Sequence, residues 1–307
     1  MKRTRLAACA TAIVAAIGTI SALQIAPAPA GTVARISAEH RIRIGYRTDA
    51  RPFTYRDDSG NAAGYSIELC QMVAGAVRSE LGLTTLDVQW MPLPAADRFR
   101  DVGTGGMDLL CGADSVTLGR RAEVAFSIPI FPGGIGALMR GDAPQNLREV
   151  LSGQGETFRP TWRGNASRVL QAKAFAAVTG TTAVTWLTTR IKDLQVVTTA
   201  WPVSSYAAGV DAVRSRKVDA LFGERAILLD LARRNQPAGE LIVLDRLFTN
   251  EPLALTLPSN DEHFRLLVDR TLAKFYSSGA LGALYTKYFG PPDQTAIAFF
   301  RWNALSD

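Results

Sequence analysis

Residues 108–127 read Asp-Leu-Leu-Cys-Gly-Ala-Asp-Ser-Val-Thr-Leu-Gly-Arg-Arg-Ala-Glu-Val-Ala-Phe-Ser, and the chemistry they suggest is capture of a small carboxylate. Leu109 and Leu110 read as the end of a buried strand and Gly112 as a turn. Asp114, Ser115 and Thr117 then set short oxygen side chains ahead of Arg120 and Arg121. A guanidinium grips a carboxylate through two parallel bonds, and hydroxyls with freed backbone N–H groups complete the shell. Taken alone, the stretch is equally well described as a surface turn with two solvated arginines. Catalytic patterns do not compete for it. The two histidines, His40 and His263, lie in no motif, and no His/Cys cluster, Gly-x-Ser-x-Gly, P-loop or dinucleotide fingerprint occurs. No catalytic residue, metal or cofactor is therefore expected.

The elements around this stretch alternate. Ile42–Tyr46 reads as a strand, Ser66–Leu81 as a helix with Ile67, Cys70, Ala74, Val77 and Leu81 on one face, Leu86–Trp90 as a strand, Ala95–Val102 as a short helix and Met107–Cys111 as a strand. That βαβαβ order predicts a parallel sheet with helices on its faces, binding ligands at the carboxyl ends of its strands. A second series follows: strands at 174–178, 196–199, 220–222 and 241–244, with helices at 182–191, 207–216 and 225–234 between them. Leu253–Leu257 returns the chain to the first sheet. Two helices and a tail bearing Phe299, Phe300 and Trp302 close it, and that tail is expected to pack on the first lobe.

The pattern Cys111-Gly112-Ala113 … Thr117 … Arg120 … Val124 … Phe126-Ser127 resembles the family 3 extracellular solute-binding proteins, the amino-acid receptors of bacterial ABC importers. The resemblance extends over roughly 250 residues. It takes in Gly45–Phe53, Gly64-Tyr65-Ser66, Gly180-Thr181-Thr182, Lys217-Val218-Asp219-Ala220, Glu251-Pro252-Leu253-Ala254-Leu255 and the run ending at Gly290. It implies an α/β clamp of two lobes, each a mostly parallel sheet flanked by helices. Residues 31–140 and 250–307 would form one lobe and 141–249 the other, with crossovers near 140–144 and 244–252. Two relatives of the family are enzymes, cyclohexadienyl (arogenate) dehydratases and a part of certain lytic transglycosylases, and some receptors signal rather than deliver cargo. Those are the alternatives to transport.

By position in the motif, Arg120 is the carboxylate clamp, helped by Ser115, Thr117 and the backbone of Ala113. Thr181 and Thr182 approach the same anion from a helix start, where N–H groups and dipole favour it. Glu224 stands where the family places an Asp for the ammonium. Tyr65 matches the aromatic wall for the side chain. Arg47 stands where receptors for acidic amino acids hold the distal carboxylate, and Tyr206 where they carry His. The implied ligand is a free polar amino acid, with glutamate or aspartate ahead; the implied partners are ABC-transporter permease subunits at the inner membrane. The receptor is expected to act as a monomer.

Residues 1–30 read as a signal peptide. Lys2, Arg3 and Arg5 precede an apolar run, and Ala28-Pro29-Ala30 suits cleavage before Gly31, which implies a periplasmic protein. Without those three, the 34 basic residues fall against 28 acidic ones to a net +3. No basic run interleaved with aromatics suggests nucleic acid. Removing the leader leaves Cys70 and Cys111, which an oxidising compartment would pair. Residues 152–168, polar and Gly-rich, read as a surface insertion.

Overall fold

The computed structural model describes residues 31–153, 167–234, 237 and 239–306. The leader at 1–30 and all but the ends of the 152–168 stretch fall outside the described residues.

The first sheet is organised on β1 (Arg41–Tyr46), whose Ile42 and Ile44 are buried while Arg41 is exposed. A small antiparallel sheet follows it, β2 (Asp49–Ala50), β3 (Thr54–Arg56) and β4 (Ala62–Ala63). Next come β5 (Asp87–Pro92) and β6 (Leu109–Ser115), both parallel to β1. Then β7 (Val124–Phe126) and β8 (Phe131–Gly133) lead to β9 (Ile135–Arg140). The second sheet adds β10 (Ala174–Val178), β11 (Thr199–Val203), β12 (Ala220–Glu224) and β13 (Leu241–Val243); β14 (Glu251–Pro258) re-enters the first. The sheet orders are β5-β1-β6-β14-β7, with β8 on β14, and β11-β10-β12-β9-β13. Each is parallel in its βαβ portion. Pairing turns antiparallel where a crossover delivers β14 and β9 from the other half. Residues 135–140, expected on the first-lobe side of the boundary, pair with β12 and β13 and so belong to the second sheet.

Gly112 does not turn the chain. It is buried inside β6, which runs on to Ser115. A Cβ there would lie 2.2 Å from Asp114 Oδ2, so the glycine makes room for a buried carboxylate. Its carbonyl accepts a 3.0 Å hydrogen bond from Ser66 Oγ at the start of the helix Tyr65–Glu80. Of the predicted stripe, Ile67, Cys70, Ala74 and Val77 are buried on that helix, while Leu81 caps its end half-buried; Cys70 meets Cys111 of β6 in a disulfide closing a sequence separation of 41. A loop of that length stabilises the fold by about 4 kcal/mol in the chain-entropy picture. In the tail helix Gln294–Asn303, Phe300 packs on Tyr276 and Tyr285. Trp302 is 84% exposed, contrary to expectation: two residues further on, the helical turn carries it round to the opposite side.

Candidate functional site

The carboxyl ends of β1 and β6 face the start of the helix Thr182–Leu194 and the end of β12 across a cavity. Of the ten residues expected at the site, eight line it: Arg47, Ala113, Ser115, Arg120, Thr181, Thr182, Tyr206 and Glu224. The cleft is shut. The centres of water-sized spheres fit over about 20 Å³, room for about one water. Gly180, at φ +78°, is pressed so close to the opposite loop that a Cβ would fall 2.7 Å from the Ala95 carbonyl oxygen.

Arg120 reaches the cavity from the short helix Leu118–Arg121. Its Nη1 donates to the Ser115 carbonyl at 2.7 Å and its Nη2 to the Gly180 carbonyl across the cleft at 3.3 Å. Burial, then the neighbouring Arg98, lowers its pKa to about 10, so it stays charged at neutral pH. Thr117 does not line the cavity. Its Oγ1 accepts from Arg120 N at 3.2 Å, capping the helix that presents the guanidinium. Arg121 is exposed. Tyr65 is also outside the lining: as first residue of its helix it turns into the core among Phe53, Phe131 and Phe289 and donates to the Ile130 carbonyl at 2.9 Å. Burial holds its hydroxyl pKa well above the usual range.

Two charged lining residues went unassigned from sequence. Arg98, 2% exposed, bonds Asp114 at 2.6 Å and the Gly180 carbonyl at 3.1 Å, and also donates to the Ala95 carbonyl. Phe99 carries the guanidinium carbons of Arg98 and Arg120 at 4.2 and 4.5 Å from its ring centre. Asp114, grouped from sequence with Ser115 and Thr117 ahead of Arg120, is instead the buried counter-ion of Arg98. The available signal was its i,i+4 relation to Val102, which places Arg98 on the buried face of its helix. Glu251 opens β14; its carboxylate accepts from Thr182 Oγ1 at 2.7 Å and Thr249 Oγ1 at 2.9 Å.

The polar remainder of the wall joins buried Arg47 and Tyr206 to half-buried Glu224 and Thr181, beside apolar Ile135, Ala183 and Ile227. Glu224 accepts from Gly134 N at 2.9 Å and Ala226 N at 3.3 Å. Burial nonetheless raises its pKa to about 8; those two N–H groups pull it down, and the Glu251 charge adds to the rise. Tyr206 accepts from Glu224 N at 3.3 Å, and burial pushes its hydroxyl to about 12. Arg47 Nε donates to Asp49 at 2.9 Å, with the guanidinium carbon 5.5 Å from the Tyr206 ring centre. Arg47 Nη2 lies 2.8 Å from the same Asp49 oxygen but makes no hydrogen bond. Thr181 Oγ1 donates back to the Val178 carbonyl at 2.7 Å, which leaves the helix-start N–H groups rather than this hydroxyl to meet an anion.

Two α/β sheets joined by crossovers, with a charged cleft between them, make a two-lobe binding protein. The chain belongs to the bacterial extracellular solute-binding proteins, family 3, whose model matches residues 42–291. It is 26% identical over 284 residues to the L-glutamate/L-aspartate-binding protein of Pseudomonas aeruginosa, covering 92% of this chain and 87% of that one. It is 23% identical over 286 residues to the glutamate/aspartate import solute-binding protein of Escherichia coli K12, covering 92% and 88%. Its fold matches an ancestral amino acid-binding protein, a precursor of cyclohexadienyl dehydratase, with TM-score 0.68 at 20% identity over 85% of this chain and 100% of that one.

Proposed function

We propose that this chain is the receptor of an ABC-type importer: it closes two lobes on a free amino acid and delivers it to permease subunits at the inner membrane. One observation carries the reading. The cleft sets an Arg120 guanidinium that has no carboxylate partner among the described residues in the same small cavity as two carboxylates, Glu224 and Glu251. Arg120 suits the carboxylate pole of a zwitterion; Glu251 suits the ammonium pole, together with Glu224, which burial keeps protonated until an ammonium arrives to ionise it. The lobes are those built on the two sheets, hinged at residues 134 and 244–250. The chain acts as an exported, periplasmic monomer and as a binding protein rather than an enzyme. Glutamate or aspartate is the favoured ligand. The relatives named above bear those ligands in their names, and Arg47, a second cation beside Arg120, lines the same cavity.

Thermal unfolding of the mature protein with each amino acid tests the reading. A ligand at 100 times its Kd adds about 2.7 kcal/mol of stability, and no shift with any of them would overturn the assignment. A dehydratase reading has one observation behind it: Glu224, with a pKa of about 8, holds a proton at neutral pH and could donate it as a general acid. Turnover of prephenate or arogenate would favour that reading instead.

A further inference from the structure

We propose that Glu251 is a second anionic partner of the ligand's ammonium group, acting as a pair with Glu224. The proposal rests on the amino-acid reading and deepens it. Glu224 ends β12 and Glu251 begins β14, so the two carboxylates reach the cavity from different sheets. Each is tied to a crossover. Glu224 Oε2 accepts from Gly134 N, between β8 and β9. Glu251 Oε1 accepts from Thr249 Oγ1, which in turn accepts from Ile135 N at 3.0 Å. Among the described residues neither carboxylate forms an ion pair with a lysine or arginine; both are held by dipoles, which satisfy lone pairs without cancelling charge.

The hydroxyls between the lobes extend the same polarity. Thr182 has one O–H, and it is given to Glu251 at 2.7 Å. In the 3.4 Å contact with Ser115, Ser115 is therefore the donor and Thr182 the acceptor. Glu251 thus turns the Thr182 oxygen into an acceptor. The Thr182 hydroxyl thus sits at the electron-rich end of the cavity, and the N–H groups of its helix start remain for a carboxylate. One pole is then Arg120 with the helix start. The other is Glu251 and Glu224 with the Thr182 oxygen between them and Arg120's end.

A purely structural Glu251, one that only pins the hinge, would weaken every ligand alike. Paired ligands with and without the ammonium separate the two cases: L-glutamate against glutarate, and L-glutamine against glutaramate, each titrated calorimetrically or by displacement into wild type, Glu251→Gln and Glu224→Gln. We expect Glu251→Gln to lower affinity for the amino acids at least tenfold and to leave the des-amino partners within about twofold, with Glu224→Gln behaving in the same sense. Equal losses for both members of a pair, or unchanged amino-acid affinity in Glu251→Gln, would overturn the proposal. If no amino acid stabilises the wild type, the receptor reading fails and takes this inference with it; if another amino acid binds in place of these two, it and its des-amino analogue form the test pair. Amino-acid binding with equal losses removes the inference alone.

Discussion

The arginine wall and the carboxylate wall of the cleft keep their charges in opposite ways. On the first, Arg47 and Arg98 each face an acid from their own half, Asp49 and Asp114. On the second, Glu224 and Glu251 face only N–H and O–H dipoles. Arg120 breaks the pattern of its own wall, because it donates to two carbonyls. On the receptor reading proposed above, the difference separates charges that fold the protein from charges held for a visitor. An ion paired inside its own wall is neutralised. A carboxyl held only by dipoles has no cation to offset its desolvation, so burial favours its protonated form, as at Glu224, and an arriving cation restores its charge.

The largest effect should come from breaking a folded-in pair. Arg98→Ala strands Asp114, which is fully buried and already has one oxygen, Oδ2, without a partner. Loss of one partner of a buried pair costs about 3–5 kcal/mol. Denaturant unfolding of the ligand-free protein should show a loss of that size, while Arg98→Met with Asp114→Leu should lose much less. Equal losses in single and double variants would show that the pair's charge is not what the fold depends on.

Arg120→Ala should give the reverse signature. Removing the clamp takes away the carboxylate's counter-charge, about 2–5 kcal/mol or a thirtyfold or greater loss of affinity. Unfolding of the ligand-free protein should move by less than about 1 kcal/mol, since the guanidinium's present bonds are to partly solvated carbonyls. Wild-type affinity in this variant would place Arg120 among the folding charges.

Arg120 and Arg98 also mark how far the sequence could be read. The alternation of strands and helices, the buried stripe with Cys70, and the placing of Arg120 beside the cavity were legible, because periodicity and motif spacing are local properties. Strand β6 running through Gly112 was not. A glycine reads as a turn unless one knows that a buried Asp114 carboxylate two residues on occupies the space of its missing Cβ. Arg98 was missed for a related reason: an arginine in a short polar helix looks solvated until the other lobe closes over it. Tyr65 matched a motif by position, yet the inward turn of its helix start sends the ring into the core. Such outcomes depend on long-range packing, which spacing does not encode.

The carboxylate wall makes a pH prediction with a definite sign. Glu224 has an ordinary pKa of 4.5, raised in the folded protein to about 8 chiefly by burial. A raised carboxyl pKa means that the folded state favours the proton. The stability it contributes is fully present below about pH 4.5 and is lost as pH rises through about 8. In the ligand-free protein the stability difference between wild type and Glu224→Gln should therefore fall across this window and level off above it. A difference that is flat from pH 5 to 9 would mean that Glu224 is ionised throughout.

Arg47 lies between the two classes and should give the smallest effect. Its Nε bonds Asp49, yet Nη2 keeps N–H groups without an acceptor at a position only 4% exposed. The guanidinium thus serves the fold through Asp49, while Arg47 also lines the cavity with Tyr206 beside it. A distal carboxylate could approach the guanidinium from the cavity but would share the cation with Asp49, so its gain is that of one charge-assisted hydrogen bond, about 1.5–3 kcal/mol at most and less by the share Asp49 keeps. Arg47→Ala should therefore cost L-glutamate roughly tenfold in affinity and L-glutamine distinctly less. Asp49→Asn, which leaves an acceptor but removes the competing charge, should shift preference the other way, by about fivefold toward L-glutamate. Calorimetry of both variants with both ligands decides it. If Arg47→Ala lowers both affinities equally, or Asp49→Asn leaves the ratio unchanged, Arg47 belongs with Arg98 as a cation already used in folding, and the preference for an acidic side chain has to come from elsewhere in the cleft.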